Sequence, residues 1–171
     1  HSRPPSPLQM IDELCQTHGY ASDGESFSIS DGKTIWLMEL IGKGATKGAV
    51  WVASRVPEGY VGSTANQART RTFAQNDPAN VLYSEDVVTF AQSVGLYPKD
   101  AAAEDFSFSD VYDPVSFTGA RLAEARVWNL FNALSDGAFM PYLDYAQGRN
   151  LTNRMPLFAK AAHPLAVNDT M

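Results

Sequence analysis

The polar cluster Asn66-Gln67-Ala68-Arg69, followed by Arg71 and then Asn76-Asp77-Pro78, stands directly after a strand-like stretch. A carboxamide at a strand end can donate to a developing oxyanion or hold a substrate carbonyl, and a nearby arginine can clamp a carboxylate in bidentate fashion. The same residues suit an Asx-type turn leaving a sheet, and both readings stay open at this point. Arg126 is the second candidate. It lies one position from the apolar stripe of Ala123, Val127 and Leu130, where a charge is acceptable only if paired or at the stripe's edge. Alone it reads as a surface arginine whose stem lies along the helix.

Other chemistries find less support. Cys15 falls at helical spacing with Leu8 and Ile11 and has no His or Arg neighbour at that spacing to lower its pKa, so it reads as a buried small hydrophobe. His1, His18 and His163 lie far apart without HExxH or Cys/His spacing, and no metal site is expected. GxSxG is absent, and Gly42, Gly44 and Gly48 join two strands instead of opening a helix, so they are turn glycines and no cofactor cradle. The sequons at Asn150 and Asn168 do not by themselves argue for secretion.

These candidates need elements to hold them. Ser6-Pro7-Leu8-Gln9 has the form of a capping box with proline at the first helical position, and the helix it opens runs to Gly19. The period then changes to two. Strands are expected at 26–30, 33–41, 48–56 and 60–66, with a hairpin at Asp31-Gly32 and turns at 42–48 and 57–59, as a four-stranded antiparallel meander covered by helices. Two helices follow, one from Ser84 to Val94 and Gly95, the other from Thr118 to Leu134 with Ala123, Val127, Leu130, Phe131 and Leu134 buried. Between them, residues 99–117 read as a solvated acidic loop with aromatic anchors and not as a calcium loop. The last eight residues, 164–171, read as the beginning of a helix.

Composition fits this picture. The 171 residues carry 44% hydrophobic and 19% charged positions, enough apolar material for a core, and form one domain's worth of chain. With 13 basic and 19 acidic residues the net charge is −6, and without a block of Lys/Arg nucleic acid is not an expected partner. One cysteine excludes an internal disulfide framework and a Cys-rich zinc site. No apolar run approaches the roughly 20 residues that cross a bilayer, so no membrane partner is expected. The first residue is not Met, and the compartment is left open.

The strings GYASDGESFSISDGKTIWLMELIGKG (19–44), KGAVWVASRVPEGYVGSTANQARTRTF (47–73), NDPANVLYSEDVV (76–88), EDFSFSDVYDPVSFTGARLAEARVW (104–128) and GRNLTNRMPLF (148–158) resemble one family. It is the family of dipeptidases with an N-terminal cysteine nucleophile, the dipeptidase A and secernin-like proteins. The likeness runs in order through nearly the whole chain, from about residue 8 to residue 171.

The resemblance implies an α+β fold, part of the αββα sandwich of N-terminal-nucleophile (Ntn) hydrolases, with residues 1–171 a single but incomplete portion of that larger domain. It implies hydrolysis of dipeptides or short peptides without a cofactor, by a cysteine whose own α-amine handles the protons while backbone and Asn donors hold the oxyanion. By this likeness Asn66 in TANQAR matches an active-site asparagine and Arg126 in EARVW a helix-borne active-site arginine. The chain departs from the pattern in one respect. Residue 1 is His and the only cysteine is Cys15, so the nucleophile is expected on a companion segment and this chain by itself is expected to be inactive. The alternative is a non-enzymatic, secernin-like interaction or assembly protein on the same fold; self-association is compatible with either.

Overall fold

The computed structural model describes residues 6–165, so the helical beginning read in 164–171 falls, from 166 on, outside the described residues. The chain is α+β and divides into two compact units. One runs up to Arg55 and resumes at Thr70–Tyr112; the other takes Val56–Arg69 and resumes at Asp113.

In the first unit, helix α1 (Pro7–His18) opens as its sequence requires. The Ser6 hydroxyl accepts from the Gln9 N–H, and the Gln9 side chain accepts from the Ser6 N–H. Gly19 ends the helix with φ 83° but an extended ψ of 175°, a region open essentially to glycine alone. Strands β1 (Gly24–Ser30), β2 (Ile35–Gly42) and β3 (Ala49–Arg55) follow as an antiparallel meander. Between β1 and β2 the chain turns through Asp31–Thr34, where the Asp31 carboxylate accepts from the Thr34 and Lys33 N–H groups.

The register pairs Phe27 with Met38 and Met38 with Ala53, while Leu40 lies opposite Trp51. These residues share one face, since side chains alternate along a strand. Leu8, Cys15 and Ile11 of α1 pack into the same cluster. The other face of β2 and β3 is also buried and includes Glu39, 1% exposed, whose carboxylate accepts the Thr70 N–H at 2.8 Å. An unpaired buried carboxylate would be costly, and this hydrogen bond offsets part of that cost.

The expected fourth strand of the meander, 60–66, is not in this sheet. The edge of β3 is taken by β5 (Val81–Tyr83), with Ser54 opposite Val81 and the Arg55 N–H donating to the Asn80 carbonyl. Pro57–Tyr60 form a turn, with the Tyr60 N–H on the Pro57 carbonyl, and the strand after it pairs with Phe158–Lys160 instead. The helix after β5, α2 (Val87–Ser93), starts later than Ser84. Ser84 does not cap it; its hydroxyl accepts the Trp51 N–H of the sheet. Val94 lies just past its end and is 52% exposed, whereas Val87 and Ala91 are buried. The acidic stretch holds a 3-10 turn (Ala103–Asp105) and helix α3 (Phe108–Tyr112), anchored by the fully buried Phe106 and Phe108.

In the second unit, β4 (Tyr60–Gly62) pairs antiparallel with β6 (Phe158–Lys160). Its long helical segment begins at Phe117, one residue before the expected Thr118, and the Ser116 hydroxyl caps it by accepting the Gly119 N–H. It comprises α4 (Phe117–Gly119), a π turn (Ala120–Glu124) and α5 (Ala125–Leu134). A short helix α6 (Leu143–Ala146) follows. Val127, Phe131, Phe139, Tyr145, Met155 and Ala159 form the core of this unit.

Among the described residues no three His, Cys, Asp or Glu side chains gather as metal ligands. No helix among them is long and apolar enough to cross a membrane.

Candidate functional site

Both candidate residues lie in the second unit, and the structure brings them together. Asn66 follows β4 with φ 64°, in the left-handed region that Asn tolerates better than most side chains. The residues after it turn inward, and Gln67, Ala68 and Arg69 are all buried. Asp113 locks this turn. Its carboxylate accepts the Ala68 N–H at 2.7 Å and the Gln67 side-chain amide at 2.8 Å, and its carbonyl takes a further bond from that amide.

Arg126 is exposed at the first turn of α5, and its guanidinium reaches back to the same loop. Nη2 donates to the Asn66 Oδ1 at 2.9 Å and to the Ala65 carbonyl at 2.7 Å, while Nε donates to the Leu122 carbonyl. A guanidinium can only donate, so the Asn66 atom facing it is the oxygen. The available donors are therefore the Asn66 Nδ2 amide and the Arg126 Nη1 group, neither of which has a hydrogen-bond partner among the described residues. Amide and guanidinium N–H groups of this kind suit a carbonyl oxygen, an oxyanion or a carboxylate. Arg71, the other arginine of the cluster, is engaged elsewhere, 3.1 Å from Asp110 on the surface of the first unit.

Beneath this pair lies a charged group of which the sequence reading named Arg69 alone. Arg69 and Glu124 form an ion pair at 3.0 Å with side-chain exposures of 1% and 2%. The Arg69 Nη groups also donate to the carbonyls of Ser63, Leu157 and Pro156, and the ring of Phe131 lies 5.1 Å from the guanidinium carbon. The Tyr145 hydroxyl donates to the Glu124 Oε2 at 3.0 Å. Burial, with the adjacent Glu124 charge, pushes the Tyr145 pKa well above its ordinary value, so Tyr145 remains a donor. Removing one partner of such a pair leaves a buried charge uncompensated and costs about 3–5 kcal/mol. One signal for it was present: Ala120, Glu124, Val127, Phe131 and Leu134 fall at alternating spacings of four and three, which places a glutamate inside an apolar stripe.

Cys15 is 7% exposed in α1 of the first unit. Burial and then the Asp12 charge push its thiol above the ordinary 9.0, the opposite of what an attacking thiolate requires.

The sequence matches peptidase family C69 over residues 6–171. It is 34% identical over 136 residues to a probable dipeptidase of Salmonella dublin, covering 80% of this chain and 28% of that protein. A probable dipeptidase of Latilactobacillus sakei is 23% identical over 121 residues, covering 71% of this chain and 24% of that protein. The chain thus spans about a quarter of the length of the curated relatives it matches.

Proposed function

The chain belongs to peptidase family C69, and on that premise we propose that it is a portion of a dipeptidase in which Asn66 and Arg126 serve the reacting carbonyl. The fold we assign to the whole is the αββα sandwich of Ntn hydrolases, with these 171 residues an incomplete part of one domain. The observation that carries the reading is the Asn66–Arg126 pair, two residues singled out separately and hydrogen-bonded to one another.

In the proposed reaction an N-terminal cysteine, on a segment outside these residues, attacks the peptide carbonyl as its thiolate. The carbonyl oxygen gains the negative charge, and the Asn66 Nδ2 amide donates to it. Arg126 holds the Asn66 oxygen, so the amide does not reorganise as the charge develops. The leaving amine takes a proton from the α-ammonium of the cysteine, and water then hydrolyses the thioester to release the second amino acid. No cofactor enters this scheme. The buried, pKa-raised thiol of Cys15 supports placing the nucleophile elsewhere.

The test is N-terminal sequencing of the mature complete protein together with its turnover of dipeptides. Cys at position one with dipeptide hydrolysis is the expected result. A folded complete protein that leaves dipeptides intact overturns the reading and favours the non-enzymatic, assembly role.

A further inference from the structure

The Asn66–Arg126 pair is exposed, although the Asp113 lock and the Ala65 and Leu122 carbonyls hold its flanks. It is a surface contact, and surface pairs with long side chains are weakly held because ordering them costs rotamer entropy. The buried group beneath it has partners from several segments of the same unit. Arg69 lies three positions after Asn66, and Glu124 two positions before Arg126, so one ion pair joins the backbone of the turn that carries the amide to the backbone of the helix that carries the guanidinium.

Arg69 is fixed further by three carbonyls, from Ser63 on one side and Pro156 and Leu157 on the other. Tyr145 fixes the partner by donating to the Glu124 Oε2. Glu124 is the last residue of the π turn, and Arg126 sits in the α-helical turn that follows it. A π turn changes the angular phase of every residue beyond it, so the clamp at Glu124 holds the point from which the direction of Arg126 is set.

We propose that Arg69, Glu124 and Tyr145 are positioning residues for the reaction, the buried ion pair and its tyrosine setting the separation and orientation of the Asn66 and Arg126 donors. This rests on the reading of Asn66 and Arg126 given above. None of the three touches the reacting carbonyl in this scheme. Their contribution is to hold two donors where a displacement of about 1 Å costs up to a hundredfold in rate.

The test uses the complete protein and Tyr145→Phe, which keeps the ring in the core and removes one hydroxyl. The expected result is a fall in kcat of about tenfold, with KM little changed and an unaltered circular dichroism spectrum. Glu124→Gln, which keeps the shape and removes the charge, is expected to lower kcat further. A folded Tyr145→Phe protein with parental kcat overturns the proposal. So does a loss that follows the melting temperature alone and disappears when the assay is run well below it, since that is the behaviour of a purely structural group. A parent protein without dipeptide turnover would instead overturn the reading of the site and, with it, this inference.

Discussion

Arg126 Nη2 donates to the Asn66 Oδ1 at 2.9 Å, joining a helix to a turn 60 positions away in the sequence. The contact gives the Asn66 amide a direction, because only its oxygen can face a guanidinium and its N–H groups are left available. The Asn66 backbone at φ 64° and the Asp113 lock on the Gln67 side chain and the Ala68 N–H hold the turn from the other side. A candidate oxyanion donor is thus held by contacts on both flanks.

Arg126→Lys keeps the positive charge but loses the fork that reaches both the Ala65 carbonyl and the Asn66 oxygen. In the complete protein we expect kcat for a dipeptide to fall about tenfold or more, because the Asn66 amide is no longer oriented. Stability measured by urea unfolding should change by no more than about 0.5 kcal/mol, as for other exposed positions. Parental kcat in this variant would show that Arg126 does not hold the donor.

Cys15 should behave as part of a core. Its buried thiol, with a raised pKa, is expected to react with iodoacetamide far more slowly than the same thiol in urea-unfolded protein. Cys15→Ser should leave dipeptide turnover at the parental level and cost modest stability. Abolished turnover in a folded Cys15→Ser protein would place this cysteine in the chemistry after all.

The turn between β1 and β2 supplies a pH dependence. The Thr34 and Lys33 N–H groups and the Thr34 hydroxyl hold the exposed Asp31 carboxyl below its ordinary 3.8. A carboxyl lowered in the folded state stabilises the protein above the unfolded value, and that contribution is lost as the pH falls through the folded value. Asp31→Asn should therefore be less stable than the parent near neutrality, with a difference that shrinks as the pH falls below 3.8. Urea unfolding over that range measures it, and a difference independent of pH would contradict the assignment.

Much of the first unit was legible because its signals are local. Ser6 and Gln9 form the capping box their spacing announced, and the strands expected at 26–30 and 33–41 pair antiparallel as Gly24–Ser30 and Ile35–Gly42, joined by a four-residue turn, Asp31–Thr34, that is wider than the Asp31-Gly32 hairpin expected. The errors came where a distant segment competed with a near one. Val81–Tyr83 took the edge of β3 that 60–66 was expected to fill, and Ser84 spent its hydroxyl on Trp51 instead of capping a helix. For the site, Asn66 and Arg126 could be named one at a time, but nothing across their separation of 60 positions says that they meet. The Arg69–Glu124 pair was hidden for the same reason. A buried charge is tolerated only with its partner, and here that partner lies 55 positions away.

The most direct test of the account is the kcat of the complete protein carrying Asn66→Asp. Aspartate tolerates the same positive φ and keeps an oxygen for Arg126, so the turn should survive while a charged acceptor replaces the Nδ2 donor. The account predicts a fall in kcat for a dipeptide of about a hundredfold or more, with the melting temperature preserved. A folded Asn66→Asp protein that turns over dipeptides at the parental rate would contradict it.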